Sequence, residues 1–253
     1  MAGENLNVRA PSQTLLRGLD IIDVVADAPL TISEIAQRTG MTYSTTHRIL
    51  MALQQRHFIQ REQDKYRLGR KLMELGYRAY SQVNLTQLAQ PILRRLAKKT
   101  SDTVHLCYAD ADNVIYLDKI ASQRAIEIRS QIGGMNPIII TAVGKALVLD
   151  KTVEDWEQLY HRQCHLLNPQ PDLYDWLRMM HQYAQGDYAL DLGEVDVELR
   201  CVAAPVRDST GQIVAAISVA SLLKTMPDER RLELIELVQS AAAEISCELG
   251  HTK

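Results

Sequence analysis

The stretch from residue 31 to residue 69 constrains the fold more than any other part of the chain. Its pattern predicts a helix, a tight turn, a second helix and then a short hairpin with basic side chains. Thr31 and Glu34 have the spacing of a capping box, and Gly40 can end the first helix because glycine accepts a left-handed conformation. Thr42 can cap the second helix. This order of elements predicts a winged helix-turn-helix, which places one helix in the DNA major groove.

Polar side chains gather at the start of the second helix, apart from its apolar stripe of Ile49, Leu50 and Leu53. In a recognition helix this is the part that reaches base edges. The hairpin behind it carries positive charge, which suits phosphate or minor-groove contact. The predicted DNA contacts are Thr42, Tyr43, Ser44, Thr45, His47 and Arg48 in the helix and Arg61, Lys65 and Arg67 in the wing. An ordinary helical hairpin with a solvated polar face is the alternative, which the charged wing disfavours.

The charge of the chain is divided unevenly. Residues 1–100 carry 15 Lys and Arg against 8 Asp and Glu, whereas residues 101–253 carry 13 against 23. A basic N-terminal part suits a polyanionic partner, and an acidic remainder limits unspecific binding. The pattern therefore favours double-stranded DNA as a partner, although a charge run can also be merely a solvated face.

Length and composition exclude several classes of protein. A chain of 253 residues suffices for two domains. It contains no run of about 18 apolar residues, which a membrane span needs, and no apolar signal segment at its start. The cysteines lack metal-ligand spacing; they are Cys107, Cys164, Cys201 and Cys247. We therefore expect a cytoplasmic protein with no membrane association, no metal and no cofactor.

Helices are predicted on both sides of the helix-turn-helix. Residues 12–26 would form the first helix of the DNA-binding unit, with a buried stripe of Leu15, Leu16, Leu19, Ile22 and Val25. Residues 70–82 predict a linker helix, because apolar residues recur at helical spacing and no Ser/Gly run occurs. A second amphipathic helix follows at residues 83–99.

From residue 103 the apolar pattern changes to a period of two, which is typical of strands. Strands are predicted at residues 103–109, 114–120, 125–132, 200–206 and 213–220. Helices are predicted at residues 156–160 and 173–183, and Pro227 opens a last helix that buries Leu232, Ile235, Val238, Ala242, Ile245 and Leu249. The fold class is therefore α+β, with an antiparallel sheet covered by helices. The predicted domains are residues 11–69, the linker helix 70–82 and residues 83–253.

Four motifs in order along the chain carry a resemblance to a known family. They are STTHRIL with the wing KYRLG, RSQIGGMNP followed by TAVGKAL (residues 129–137 and 141–147), GDYALDLGE (186–194) and RCVAAPVRD (200–208). With these spacings the chain resembles the IclR-family transcriptional regulators over nearly its full length. The resemblance implies a C-terminal effector-binding domain with a GAF-like fold. It also implies a homo-oligomer, a dimer or a tetramer, that binds an operator and responds to a small organic acid.

A site for that acid is predicted where Ala142 and Val143 open a helix. The first amides of a helix have no partner within it and carry partial positive charge, so they suit a carboxylate. The resemblance puts the acid group of the effector at these two residues and arranges polar and apolar side chains around it. The predicted effector-binding residues are Ile128, Asn136, Ala142, Val143, Asp191, Cys201 and Ser218. Hydrogen bonding by Asp191 and Ser218 suits a hydroxylated organic acid or a sugar acid better than an aromatic one.

Each of these roles has an alternative. Cys201 can be only a small buried hydrophobe, and Asp191 can cap the turn that follows it. Lys145 can be a surface lysine or can reinforce the anion site. An enzyme that processes a small acid, with Cys201 as nucleophile and His105 as base, is the alternative function. The chain offers no third group to orient that pair, so the interpretation as a regulator without catalytic activity is favoured.

Overall fold

The computed structural model of the protein describes residues 12–82, 84–122 and 128–252. These residues form two compact units, which divide next to residue 83. The first unit is a helix-turn-helix with a β-wing, and the second is an antiparallel sheet with helices, so the predicted α+β class is confirmed. None of the helices within these ranges is both long and apolar enough to cross a membrane.

The first unit packs three helices against a small sheet. The helices are α1 (Gln13–Ala26), α2 (Ile32–Thr39) and α3 (Tyr43–Gln55), followed by α4 (Arg70–Gln82). The strands are β1 (Leu30–Thr31), β2 (Ile59–Glu62) and β3 (Lys65–Leu68), in the antiparallel order β1-β3-β2. The core consists of Ile21, Val25, Leu30, Ile35, Ile49, Leu50, Ile59 and Tyr66. The element α4 has the same bounds as the predicted linker helix.

The helix-turn-helix is defined by the caps that the sequence predicts. Thr31 Oγ1 accepts a hydrogen bond from Glu34 N, and Glu34 Oε2 accepts one from Thr31 N at 2.7 Å, which completes the capping box. Gly40 ends α2 with a φ of 65°. Thr42 Oγ1 accepts from Thr45 N at 3.3 Å and so begins α3. The turn between the two helices is therefore fixed by local hydrogen bonds.

The predicted buried stripe of α1 is wrong for most of its residues. Leu15 is 63% exposed and Leu19 is 48% exposed, whereas Gly18, Ile21 and Val25 are buried. The periodicity of α1 allows two adjacent apolar faces, and packing against α2, α3 and β3 buries the one that contains Gly18.

The second unit is built on a six-stranded antiparallel sheet in the order β6-β5-β4-β9-β8-β7. The strands are β4 (Thr103–Asp110), β5 (Asn113–Ile120), β6 (Met135–Pro137), β7 (Ala189–Asp191), β8 (Leu199–Arg207) and β9 (Ile213–Leu222). The helices are α5 (Leu85–Thr100), α6 (Ala142–Leu147), α7 (Val153–Gln163), α8 (Leu173–Gly186) and α9 (Asp228–Glu248).

The two faces of this sheet carry different side chains. Helices α5 and α9 pack on each other and on the apolar face, where Val202, Ile217 and Val219 are fully buried. Helix α6 packs across β7, β8 and β9 on the other face. Because side chains alternate along a strand, this second face carries the polar residues Cys201 and Ser218. The sheet therefore separates an apolar core from a polar site.

The predicted strand at residues 125–132 is not confirmed in its described part. Residues 125–127 lie outside the described residues, and residues 128–132 are not a strand. Gly133 has a φ of 79°, and Gly134 N donates to Gln131 O at 3.0 Å, so the chain turns here. Hydrogen bonding with β5 begins within this turn, where Gly133 N donates to Tyr116 O at 2.8 Å, and continues at β6.

The predicted buried face of α9 is partly wrong. Leu232 is 64% exposed, whereas Leu234 and Ala241 are buried beside the predicted Val238 and Ile245. Val238 and Ala241, four and seven positions after Leu234, lie on the same buried face. This face is centred on different residues from the predicted one.

Candidate functional site

The exposed side of α3 carries most of the predicted recognition residues. They are Tyr43, Ser44, His47 and Arg48, all exposed. Met51 continues the same side one turn further along, and the sequence analysis did not assign it. The opposite side of α3 is buried, so the helix is held rigidly with these side chains outward.

Two predicted contacts, Thr42 and Thr45, are engaged in the cap of α3. Thr42 Oγ1 donates to Thr45 Oγ1 at 3.0 Å and accepts from Thr45 N. Thr46 is fully buried and donates from Oγ1 to Thr42 O at 3.0 Å. This end of α3 is therefore stiffened by threonine hydroxyls.

Two of the three wing cations that were predicted to contact DNA form polar contacts within the hairpin. Arg61 Nε donates to Gln63 O at 2.8 Å across the turn, and Arg67 Nε lies 3.1 Å from Glu62 Oε2. The side chain of Lys65 is exposed and forms no hydrogen bond or ion pair with any described residue. Of the three predicted wing cations, it is therefore the one whose side chain is most available for a phosphate.

This difference gives a prediction for Lys65→Ala. The slope of log affinity against log salt concentration should fall by roughly one in magnitude, because one phosphate contact is lost. Arg67→Ala should change the slope by less, since Glu62 already offsets that charge. Fluorescence anisotropy with a random-sequence duplex at several salt concentrations measures both slopes. Equal slopes for Lys65→Ala and the wild type would contradict a phosphate contact by Lys65.

In the second unit a cavity of about 610 Å³ opens between α6 and the polar face of the sheet. Its volume is within the range of roughly 300–1,000 Å³ that small-molecule sites occupy. All seven predicted effector-binding residues line it: Ile128, Asn136, Ala142, Val143, Asp191, Cys201 and Ser218. The residues that the sequence predicts as effector contacts therefore lie around one cavity.

The start of α6 offers two free amides to this cavity. Thr141 caps the helix by accepting from Gly144 N at 2.9 Å. The Ala142 and Val143 amides donate to no residue in the part of the chain that the structure describes. A Cβ at Gly144 would lie 2.3 Å from Ile138 O, so only glycine lets the helix begin this close to the preceding turn. These two amides can together accept a carboxylate.

Asp191 both caps a turn and lines the cavity. Its Oδ1 accepts from Gly193 N at 2.9 Å and from Glu194 N at 2.8 Å. The side chain is buried, and burial, together with the hydrogen bond and repulsion from Glu194, raises the pKa of Asp191 to about 7. The two roles considered for Asp191, the cap of a turn and a residue of the cavity, therefore do not exclude each other.

Lys145 is not a surface lysine, because its side chain is 0% exposed. Its Nζ lies 2.5 Å from Glu194 Oε1, and the other oxygen of Glu194 accepts from Leu192 N at 2.5 Å. Although burial acts to raise it, the charge of Lys145 holds the pKa of Glu194 below its ordinary value. An ion pair between buried Lys145 and partly exposed Glu194 therefore lies next to Asp191.

His105 forms a second polar group in the cavity. Its Nε2 lies 2.7 Å from Ser130 Oγ, and its Nδ1 lies 3.4 Å from Ser218 Oγ. Burial and then the charge of Lys119 lower the pKa of His105 to about 3. The imidazole is therefore neutral, with one donor and one acceptor nitrogen. It lies edge-on to Tyr116 at 5.1 Å between ring centroids.

Several cavity residues were not assigned by the sequence analysis as effector contacts. They include His105, Tyr116, Arg129, Ser130, Asp196 and Glu198. Strand register brings His105 opposite Ser218 on β9. A β-bulge near Leu106 and Cys107 shifts the pairing with β5. Neither register nor bulge is readable from a single sequence, although the period-two pattern of β4 does put His105 on one face.

The arrangement around Cys201 does not resemble an activated nucleophile. Burial and then the nearby charge of Asp191 raise the pKa of the Cys201 thiol. A nucleophilic cysteine needs the opposite shift. The hydrogen bonds of His105 go to Ser130 and Ser218. Within the described ranges no group of three His, Cys, Asp or Glu side chains could hold a metal ion.

Comparison with known proteins identifies the class. The profile described as the IclR helix-turn-helix domain matches residues 14–63, and the bacterial transcriptional regulator IclR C-terminal profile matches residues 77–247. The HTH-type transcriptional regulator KdgR of Escherichia coli (strain K12) is 30% identical over 99% of this chain and 98% of its own. The transcriptional repressor IclR of the same organism is 28% identical over 94% and 90%.

A solved structure shows the same fold. The crystal structure of the Agobacterium tumefaciens repressor BlcR matches with a TM-score of 0.81 and 21% identity, over 95% of this chain and 98% of that one. The two matched profiles and these relatives identify the chain as a bacterial transcriptional regulator. The chain belongs to the IclR family, which confirms the predicted resemblance and the interpretation as a regulator over the enzyme.

Proposed function

We propose that operator binding by this regulator is controlled by a small organic acid that occupies the cavity of the second unit. One observation carries the proposal: the free amides of Ala142 and Val143 open onto a cavity that Asp191 and Ser218 also line. The amides would hold the carboxylate, and the side chains would bind hydroxyl groups of the ligand.

The polar lining favours a hydroxylated acid, such as a hydroxy acid or a sugar acid. Asn136 Nδ2 donates to the Tyr116 hydroxyl at 3.0 Å, and His105 lies between Ser130 and Ser218. These groups offer several donors and acceptors to the cavity, as a ligand with several hydroxyl groups requires. An aromatic acid would make no use of the donors and acceptors that these groups still offer to a ligand.

For DNA, we propose that α3 enters the major groove and that the wing contacts phosphates. The exposed Ser44, His47 and Arg48 would read bases, and Lys65 would contact the backbone. The protein would act as a homo-oligomer, a dimer or a tetramer, because paired recognition helices match two half-sites of an operator.

We propose that residues 11–69 bind DNA and that residues 83–253 bind the effector, with the helix 70–82 between them. A fragment of residues 83–253 should fold, bind the acid with the affinity of the whole protein and not bind DNA. Its large buried core of sheet and helices supports independent folding. Thermal shift and anisotropy on the fragment measure these properties. A soluble fragment that fails to bind an acid bound by the whole protein would argue against the division.

The function itself is tested with a panel of glycerate, gluconate, pyruvate and benzoate. A ligand that binds the native state raises the melting temperature, so the panel ranks the candidates. We expect the hydroxylated acids to give larger shifts than benzoate. The acid with the largest shift is then added to an operator titration followed by anisotropy, where operator affinity should change. If no acid that binds also changes operator affinity, effector control is wrong.

A further inference from the structure

Met51 lies at the centre of the exposed side of α3. Its side chain is 52% exposed, although methionine is usually buried. It follows Ser44 by seven residues, which make almost two full turns, so the two side chains lie on one line along the helix. His47 and Arg48 flank this line, and the buried residues of α3 lie opposite it. Met51 therefore faces the same surroundings as Ser44 and Arg48.

This side of α3 combines positive charge with apolar surface. The helix contains no Asp or Glu, so none of its own side chains repels a polyanion. Its two exposed large apolar or aromatic side chains, Tyr43 and Met51, are both on this side. A surface that binds only phosphates needs no apolar side chain, because charged and polar groups make those contacts. The combination fits the major groove, where thymine presents a methyl group beside hydrogen-bonding groups.

We infer that Met51 contacts the 5-methyl group of a thymine in the operator and so contributes to sequence preference through an apolar contact. This inference rests on the proposed entry of α3 into the major groove. Met51 follows Arg48 by three residues, a rise of about 4.5 Å along the helix, so the thymine should lie within about two base pairs of the base that Arg48 contacts. The unbranched, flexible thioether side chain can adjust to the position of the methyl group.

The test removes the methyl group from the DNA. Deoxyuridine is thymidine without the 5-methyl group, and its base pairing is unchanged. An operator is selected from a random library with the full-length wild-type protein, and each thymine of one half-site is replaced in turn by deoxyuridine. At the contacted position the replacement should lower wild-type affinity, measured by anisotropy, by roughly fourfold, the size expected for one buried methyl group. Met51→Ala should bind the thymine and deoxyuridine duplexes equally at that position, whereas effects at other thymines stay unchanged.

Met51→Leu and Met73→Ala serve as matched controls. Leucine keeps an apolar side chain of similar volume, so Met51→Leu should retain most of the discrimination against deoxyuridine. Met73 is an exposed methionine on α4, and its replacement should leave the discrimination at the wild-type value. Because both positions are exposed and Ala and Leu favour helices, the melting temperatures of these variants should stay near that of the wild type.

Two results would overturn the contact between Met51 and thymine while leaving the proposed DNA binding intact. One is wild-type binding that no deoxyuridine replacement weakens. The other is a discrimination that Met51→Ala retains at every thymine. Both start from an operator that the protein prefers. If the selection yields no duplex that binds more tightly than random DNA, the proposed base reading by α3 fails, and the contact by Met51 fails with it.

Discussion

Replacing Arg48 by Ala should lower operator affinity by roughly 5- to 150-fold, which corresponds to about 1–3 kcal/mol for a lost bidentate base contact. Arg48 is exposed on α3, on the same side as Ser44 and His47. The loss should be confined to the operator, because a base contact carries sequence preference whereas a phosphate contact does not. Affinity for a random-sequence duplex should therefore change much less.

The measurement needs an operator, which can be selected from a random DNA library with the purified wild-type protein. Anisotropy then compares wild type, Arg48→Ala and Arg56→Ala on the selected and the random duplex. Arg56 is an exposed arginine at the C-cap of the same helix, so it controls for charge. If Arg48→Ala weakens both duplexes equally, Arg48 contacts the backbone and the base-reading residues lie elsewhere on α3.

Local signals in the sequence were sufficient for the helix-turn-helix. Caps depend on residues three or four positions apart, so Thr31, Glu34, Gly40 and Thr42 could be assigned without knowledge of the fold. The apolar faces of α1 and α9 were harder to predict. Each has more apolar residues than one face can bury, and tertiary contacts, such as those of α1 with α2, α3 and β3, select among them.

The cavity was predictable in part for a related reason. Motif resemblance supplied Ala142, Asp191 and Ser218, which the fold brings into one cavity. His105 enters it through strand register, and Lys145 is buried through its pairing with Glu194. Both depend on contacts between residues dozens of positions apart, which neither periodicity nor composition reports.

Replacing Asp191 by Ala should abolish most of the response of operator binding to the acid. Coupling between two binding sites is typically about 1–3 kcal/mol, or roughly 5- to 150-fold in affinity. The two proposed sites lie in different units, so the acid would act only through such a coupling free energy. Without Asp191 the ligand loses a hydrogen-bond partner in the cavity, and the ratio of operator affinities with and without acid should approach one.

Asp208→Ala distinguishes lost ligand contact from lost turn structure. Asp208 caps its turn through Thr210 N, as Asp191 does through Gly193 N, but Asp208 is not among the residues that line the cavity. This variant should therefore keep the full response to the acid. Operator titrations of both variants, at fixed acid concentrations above and below the wild-type dissociation constant, make the comparison. An Asp191→Ala protein that retains both acid affinity and the wild-type response would show that the ligand binds elsewhere.

Linkage adds an independent check. If the acid changes operator affinity by some factor, then operator DNA must change the affinity for the acid by the same factor.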